Sequence, residues 1–122
     1  MPAMKCPKCR EANLVAVVVD EVEVDRCQTC SGIWFDNREL GALLDKARAQ
    51  LSTLLDGEDQ DDLDYQYGKC PRDQQNLMRV KSLRNAEVTL DVCGGCRGIW
   101  LDGGEFRAIK DAQPQIRLGD IV

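Results

Sequence analysis

The 122-residue sequence contains no histidine, so it lacks the commonest general base and the commonest metal ligand of hydrolytic zinc sites. No apolar run approaches the roughly eighteen residues of a membrane-spanning helix, so no membrane partner is expected. The start, Met-Pro-Ala-Met-Lys, has no apolar signal segment. Because the seven cysteines are an odd number, disulfides are disfavoured, and we expect a reducing, cytoplasmic setting.

Basic residues are absent from the middle of the chain. Residues 51–68 carry six acids and no bases, whereas residues 1–50 and 69–122 are nearly balanced at −1 and +2. The composition of residues 56–68 predicts a solvated linker, with docking on a basic partner as the alternative. The net charge is −5, and two zinc ions held by seven thiolates would bring it to about −8. A charge of this sign repels a phosphate backbone.

One motif is present twice. Residues 27–40 read C-Q-T-C-S-G-I-W-F-D-N-R-E-L, and residues 93–106 read C-G-G-C-R-G-I-W-L-D-G-G-E-F. Cysteine, glycine, isoleucine, tryptophan, aspartate and glutamate recur at identical offsets, which indicates an internal duplication. Each copy is close to the size at which a hydrophobic core alone does not suffice, so a metal is the expected source of additional stability.

The first copy is preceded by Cys6-Pro-Lys-Cys9, which completes the pattern C-x2-C-x17-C-x2-C through Cys27 and Cys30. This spacing is typical of a four-cysteine metal site, because two facing turns each offer a pair of thiolates to a tetrahedral ion. We expect one zinc that is needed for folding, and its four ligands leave no position open for a substrate. Iron is the alternative occupant of such a sulfur tetrahedron.

The second copy departs from this pattern, because Cys70-Pro-Arg-Asp73 has aspartate where a cysteine is expected. An aspartate oxygen can bind zinc at about 2.0 to 2.2 Å, so Cys70, Asp73, Cys93 and Cys96 are predicted to hold a second zinc. Two alternatives stay open at this site. It could lack metal, or three cysteines could hold zinc with a water in the fourth position and Asp73 as the hydrogen-bond partner of that water.

Both halves resemble the transcription factor IIB-type zinc ribbon family, which occurs in many small bacterial proteins. The resemblance rests on C-P-x-C followed by C-x-x-C-x-G-I-W-x-D-x-x-E-L/F, over residues 4–44 and 68–109. It implies a small metal-bound α+β fold of two tandem rubredoxin-like zinc ribbons, each a three-stranded antiparallel sheet with a C-terminal helix. The expected division is ribbon 1 at 1–55, the acidic linker at 56–68, and ribbon 2 at 69–122.

Alternating apolar residues predict the strands of each repeat. Leu14 to Val19 and Val22 to Cys27 should form a hairpin with a buried valine face, followed by a short strand at 33–35. Trp34 is predicted to lie in the core, and Gly32 to supply a positive φ at the metal turn. In the second repeat, 77–83 and 86–92 should pair around Arg84-Asn85, with a third strand at 98–101.

Helices are predicted after the third strand of each repeat. Asp36 and Glu39 fit a capping box, and their spacing is explained by capping rather than by acid–base catalysis. An apolar stripe continues to about residue 55, so the first helix is expected to be long and to pack on the second repeat or in a homodimer through residues 40–55. The second helix should span about 103–112, weakened by Gly103-Gly104, and the tail 115–122 should be docked.

Three classes of function are compatible with these features. The closed sites and missing histidine favour a non-enzymatic module that binds another protein. A nucleic-acid-binding or transcription-associated ribbon is the second reading, supported by five bases in the second repeat: Lys69, Arg72, Arg79, Lys81 and Arg84. A thiol redox protein is the third, and it is disfavoured because such C-x-x-C pairs normally open a helix in a βαβ unit.

Overall fold

The computed structural model describes residues 4–10, 12–19, 21–44, 68–82 and 88–111. Four sequence-based predictions fall outside these ranges, wholly or in part. They concern the first helix beyond residue 44, the acidic segment up to residue 67, the turn at Arg84-Asn85, and the tail 115–122.

The first repeat contains three strands and a helix. Strands β1 (Leu14–Val19) and β2 (Val22–Cys27) form the predicted antiparallel hairpin, with Val19 opposite Val22 at its tip. Glu21 adopts a φ of 69°, as a tight two-residue hairpin turn requires. Strand β3 (Ile33–Phe35) follows the second cysteine pair, and helix α1 begins at Glu39 and is described to Leu44.

The second repeat uses the same elements with a shorter hairpin. Its strands are β4 (Met78–Lys81), β5 (Thr89–Val92) and β6 (Ile99–Leu101), and helix α2 spans Glu105–Asp111. The backbone N–H of Ser82 donates to the Val88 carbonyl at 2.9 Å, so the pairing continues slightly beyond the strands. These strands lie inside the predicted ranges 77–83, 86–92 and 98–101, and each is shorter than its range.

Strands from both repeats form one six-stranded sheet in the order β1-β2-β3-β6-β5-β4. The two halves meet where β3 and β6 run antiparallel, with Trp34 opposite Trp100 and Ile33 opposite Leu101. An antiparallel pair of equivalent strands relates the repeats by an approximate twofold axis. The resemblance implied two tandem ribbons, but local alternation does not encode this pairing between them.

The two faces of the central strands serve different purposes, because successive side chains point to opposite sides. Ile33 and Phe35 face a core shared with both helices, in which Phe35 stacks on Phe106 at a centroid distance of 5.7 Å. Trp34 and Trp100 face the other side, where they pack with the cysteine clusters. Both tryptophans are fully buried, as predicted for Trp34.

Gly32 does not play the predicted role. The positive φ at the metal turn belongs to Ser31, at 64°, and Gly32 instead makes room for the opposite repeat. A Cβ on Gly32 would lie 2.1 Å from Trp100 Cζ2, and a Cβ on Gly98 would lie 2.1 Å from Trp34 Cζ2. The glycine of the repeated Gly-Ile-Trp motif is therefore required by the tryptophan of the other copy.

The capping box forms in part, and both helices begin later than predicted. The Glu39 carboxylate accepts the Asp36 N–H at 2.7 Å, but Arg38 has a φ of 77° and the helix begins only at Glu39. Gly104 occupies the equivalent position with a φ of 88°. It suits the turn before α2 rather than weakening that helix, because glycine adopts positive φ without steric cost.

The described start of the leucine stripe packs across the repeat boundary, and residues 45–55, to which the prediction mainly applies, lie outside the described residues. Leu40, Leu43 and Leu44 are buried in the cluster that contains Phe106 and Ile109 of the second helix. Lys110 Nζ donates to the Leu44 carbonyl at 2.6 Å, which ties the described end of α1 to α2. The homodimer prediction concerns the stripe as a whole and stays a prediction.

Candidate metal centres

Site 1 consists of Cys6, Cys9, Cys27 and Cys30, whose sulfurs all lie within 4.8 Å of one another. The Cys6–Cys30 and Cys9–Cys27 sulfurs are each 3.8 Å apart. A tetrahedral zinc with bonds of about 2.3 Å places its sulfurs about 3.8 Å apart, so this spacing fits a zinc ion. Burial of three of these cysteines separates the cluster from solvent.

Site 2 brings together Cys70, Asp73, Cys93 and Cys96 within the same 4.8 Å limit. The Cys70 and Cys96 sulfurs are 3.6 Å apart, and the Cys93 sulfur lies 3.4 Å and 3.5 Å from the two Asp73 oxygens. Tetrahedral zinc with one oxygen and three sulfur ligands needs a sulfur–oxygen separation of roughly 3.5 to 3.7 Å. The geometry of the aspartate-containing cluster is therefore close to that of a complete zinc site.

All four metal turns share one backbone conformation. The residue after each second ligand position has a φ near 65° and donates its N–H to the carbonyl of the first ligand at 2.9 to 3.0 Å. These residues are Arg10, Ser31, Gln74 and Arg97. The turn that carries Asp73 has thus kept the shape of a two-cysteine turn, which places its carboxylate where a thiolate would lie.

Gly95 leaves the space that the Asp73 side chain occupies, although the glycine alone does not indicate this. A Cβ on Gly95 would lie 2.8 Å from Asp73 Oδ2 and 2.9 Å from Gln75 Nε2. The duplicated motif has Thr29 at the equivalent position of site 1. Site 2 has Gly95 with Asp73, whereas site 1 has Thr29 with Cys9 at the equivalent positions. This joint difference between the two copies is the sequence signal that points to Gly95.

Each site also contributes a cation to the other repeat. In both sites this cation is the residue directly before the second ligand. Lys8 Nζ lies 3.2 Å from Asp102 Oδ2 and 3.4 Å from Asp91 Oδ2. Trp100 Nε1 donates to the other Asp102 oxygen at 2.9 Å. The side chains of Lys8, Asp91 and Asp102 are at most 1 % exposed, so one ammonium and two carboxylates are buried between the repeats.

The equivalent contact in the opposite direction is open to solvent. Arg72 Nη2 donates to Asp36 Oδ2 at 2.6 Å, its Nε donates to Oδ1, and Trp34 Nε1 donates to the same oxygen at 3.1 Å. The side chains of Arg72 and Asp36 are 47 % and 30 % exposed. This explains why Asp36 does not cap its own helix: its carboxylate binds the other repeat.

The surroundings of these carboxylates shift their pKa values in opposite directions. Burial raises the pKa of Asp91 to about 6, although Lys8 acts against the shift. Burial also acts to raise the pKa of Asp36, but the hydrogen bonds from Arg72 and Trp34 outweigh it and hold that pKa below its usual value. The buried contact therefore holds a carboxylate that resists ionisation, and the open one holds a carboxylate that ionises readily.

The ligand groups differ in the protons that a metal would displace. Burial, reinforced by neighbouring thiols, raises the pKa of Cys9 to about 12, and burial raises that of Cys70 to about 12. The Gln75 N–H, which Asp73 Oδ1 accepts at 3.1 Å, lowers the pKa of Asp73. A metal at either site must expel thiol protons, because thiolate is the binding form. Asp73 is already ionised at neutral pH.

Comparison with known families agrees with this geometry. A model of the transcription factor zinc-finger family, the transcription factor IIB-type zinc ribbon, matches residues 5–46 and 69–112, which together form most of the chain. The protein therefore belongs to this family. Its two clusters are zinc sites. No curated protein and no solved structure matched the chain. In the part of the chain that the structure describes, no helix is long and apolar enough to cross a membrane.

Proposed function

We propose that this zinc ribbon protein is a non-enzymatic protein-interaction or adaptor module whose two zinc sites stabilise one presenting scaffold. The observation that supports this most is the completeness of both clusters. Each brings four ligand atoms to within 4.8 Å of one another, and tetrahedral zinc with four protein ligands has no position for a substrate. The protein would then act by binding partners through its exposed surfaces.

Asp73 is proposed as the fourth ligand of site 2. Its carboxylate faces the Cys93 sulfur, its turn has the conformation of the three two-cysteine turns, and Gly95 leaves the space it needs. An open site, with water held by three cysteines, is the arrangement that could support hydrolysis. The short distance between Asp73 and Cys93 leaves little room for a water between the carboxylate and the ion.

The adaptor proposal is tested by retrieval of partners from the native cell, with zinc-loaded protein as bait and chelated protein as the matched control. We expect at least one protein that binds the zinc-loaded bait alone and that, once purified, binds it directly in a calorimetric titration. The proposal is wrong if no purified candidate binds directly. Hydrolytic activity of the purified protein that disappears with Asp73→Ala would point to the open-site enzyme instead.

Nucleic-acid binding is the second candidate, and the bases of the second repeat are the observation that favours it. Lys69 and Lys81 are exposed, but the Arg72 guanidinium is engaged by Asp36 and Arg79 is half-buried. The net charge of −5 also opposes association with a polyanion. A shift of labelled DNA or RNA that weakens steeply with salt would favour this candidate over the adaptor.

A further inference from the structure

A groove of about 280 Å³ lies between the first metal turns of the two repeats. It is lined by equivalent residues from each turn: Lys5, Cys6, Pro7 and Arg10 from one, and Lys69, Cys70, Pro71 and Gln74 from the other. None of these lining residues is acidic. The groove thus follows the approximate twofold relation of the sheet, and it exists only because the repeats are joined.

The charged side chains around the groove are cationic, and beneath them lie two prolines and the ligand sulfurs of Cys6 and Cys70. Lys5, Arg10 and Lys69 are exposed, whereas Pro7 and Pro71 are buried. The Cys70 sulfur beneath accepts N–H groups from Arg72 and Asp73 at 3.4 and 3.5 Å, and Cys6 accepts the N–H of Cys9 at 3.3 Å. These hydrogen bonds offset part of the negative charge of a zinc-bound sulfur.

The basic residues inside the two turns, Lys8 and Arg72, are already paired with aspartates. Lys8 and Arg72 are bound to Asp102 and Asp36 of the opposite repeats. These two cross-repeat ion pairs do not include Lys5, Arg10 or Lys69. Among the lining residues that the structure describes there are three side-chain cations and no carboxylate, on a chain of net charge −5.

We infer that this groove binds an acidic peptide segment of a partner protein, whose carboxylates pair with Lys5, Lys69 and Arg10. The inference rests on the proposed adaptor function and names the chemistry of its partner. Lys5 and Arg10 from one turn and Lys69 from the other suit carboxylates spaced along an extended chain, and the arginine fork can bind one of them with two parallel hydrogen bonds.

Single-stranded nucleic acid fits the groove less well. Proteins that bind single strands normally combine a cationic track with aromatic side chains on which bases stack. None of the eight lining residues is aromatic. The acidic remainder of the chain would also repel a long phosphate backbone more than a short carboxylate segment, because the backbone extends beyond the groove.

The inference is tested by fluorescence anisotropy of zinc-loaded, full-length protein with a labelled octaglutamate peptide, and with octaglutamine as the uncharged match. We expect binding of the glutamate peptide alone. Lys5→Glu, Arg10→Glu and Lys69→Glu should each weaken it by roughly threefold to tenfold, and the triple variant by at least about thirtyfold. Lys81→Glu, an equal charge change on strand β4 outside the groove lining, should weaken it less than about twofold.

Two outcomes would overturn the inference. Equal weakening by Lys81→Glu would mean that the peptide responds to overall charge and not to the groove. Tighter binding of a thymidine octanucleotide than of octaglutamate would assign the groove to nucleic acid. Zinc content must stay at the wild-type value in each variant, and Lys5→Gln and Lys69→Gln replace the reversals where a glutamate beside a ligand disturbs the metal.

Failure of this inference is distinguishable from failure of the adaptor proposal. A purified partner that binds wild type and the triple variant equally would leave the adaptor standing and exclude the groove as its site. If no direct partner exists, the adaptor proposal fails whatever the peptide does. Nuclear magnetic resonance shifts confined to residues 5–10 and 69–74 on addition of octaglutamate would place the ligand in the groove.

Discussion

The two repeats build the same cross-repeat contact in different environments. In both, the residue between the first two ligand positions sends a cation to the aspartate after the Gly-Ile-Trp motif, and that aspartate also accepts the tryptophan N–H. Lys8 is enclosed with two carboxylates, whereas the guanidinium of Arg72 is half-exposed. The two ion pairs have the same geometry, but their different burial should give them different contributions to the free energy of unfolding.

The metal sites differ in a parallel way. Site 1 has four thiols, and site 2 has an exposed carboxylate in place of one of them. Lysine rather than arginine, threonine rather than glycine, and cysteine rather than aspartate all distinguish the first repeat from the second at equivalent positions. The first metal site is more enclosed and the second more open, but both repeats share one sheet. A substitution that destabilises one repeat is therefore expected to destabilise the other.

The largest effect should come from removing a zinc ligand. Because β3 and β6 join the halves, Cys27→Ser is expected to unfold both repeats, and Cys93→Ser should do the same. Circular dichroism and amide-exchange protection in β1 and β5 measure the two halves separately. Wild-type secondary structure and zinc content in Cys27→Ser would show that site 1 is not needed for folding. Survival of β1 in Cys93→Ser would show that the halves are independent.

The second prediction contrasts the two ion pairs. Lys8→Met removes the ammonium that lies within 3.4 Å of two buried carboxylates and should lower the free energy of unfolding by about 3 to 5 kcal/mol. Arg72→Met at the solvent-exposed pair should cost at most about 1 kcal/mol. Urea unfolding of the zinc-loaded proteins measures both. Asp91→Asn in the Lys8→Met background should recover part of the loss, and equal costs for the two single variants would contradict the comparison.

The third prediction concerns Asp73. Metal analysis should give two zinc ions per chain, and Asp73→Cys should raise the zinc affinity of site 2 by roughly tenfold, because thiolate is the softer ligand. Asp73→Asn should weaken the site, since a neutral amide replaces the carboxylate. One zinc per chain in the wild type, or an unchanged affinity in Asp73→Asn, would exclude Asp73 as a ligand.

Proton release makes the same comparison sharper. Since Cys9 and Cys70 bind protons tightly without metal and Asp73 does not, filling the sites should release thiol protons, and Asp73→Cys should release about one proton more than the wild type. Zinc affinity should therefore fall as the pH is lowered, more steeply in the variant. Calorimetry in buffers of different ionisation enthalpy counts these protons. An identical count would mean that the cysteine introduced at position 73 does not bind the metal as a thiolate.

The fourth prediction exchanges the residue opposite the ligand. Gly95→Thr, which copies Thr29 of the first repeat, should displace Asp73 and lower the zinc affinity of site 2 by several-fold, because the new Cβ would lie 2.8 Å from a ligand oxygen. In the Asp73→Cys background the same change should cost less, because only the contact with the end of the Gln75 side chain would remain. Competition with a chromophoric chelator measures both. A loss of equal size in the two backgrounds would show that Gly95 does not act through Asp73.

The sequence predicted what short-range patterns encode. The hairpins and third strands follow from alternation, the buried tryptophan from its apolar neighbours, and the zinc sites from cysteine spacing. It did not predict that β3 pairs with β6, because alternation defines a strand's faces and not the neighbour along its edge. Gly32 was misread for the same reason: its constraint comes from Trp100 of the other repeat, not from its own turn.

The smallest effect is expected at the start of the helices, where the repeats again differ by one residue. Arg38 and Gly104 occupy equivalent positions with φ of 77° and 88°, a region that costs a non-glycine residue about 1 to 2 kcal/mol. Arg38→Gly relieves that strain but adds about 0.5 to 1 kcal/mol of unfolded-state entropy, so a net gain of roughly 0.5 to 1 kcal/mol is expected. Gly104→Ala should lose about 1 kcal/mol by the same argument. Thermal unfolding of the zinc-loaded variants tests the pair, and a destabilised Arg38→Gly would mean that the arginine side chain contributes more than its backbone costs.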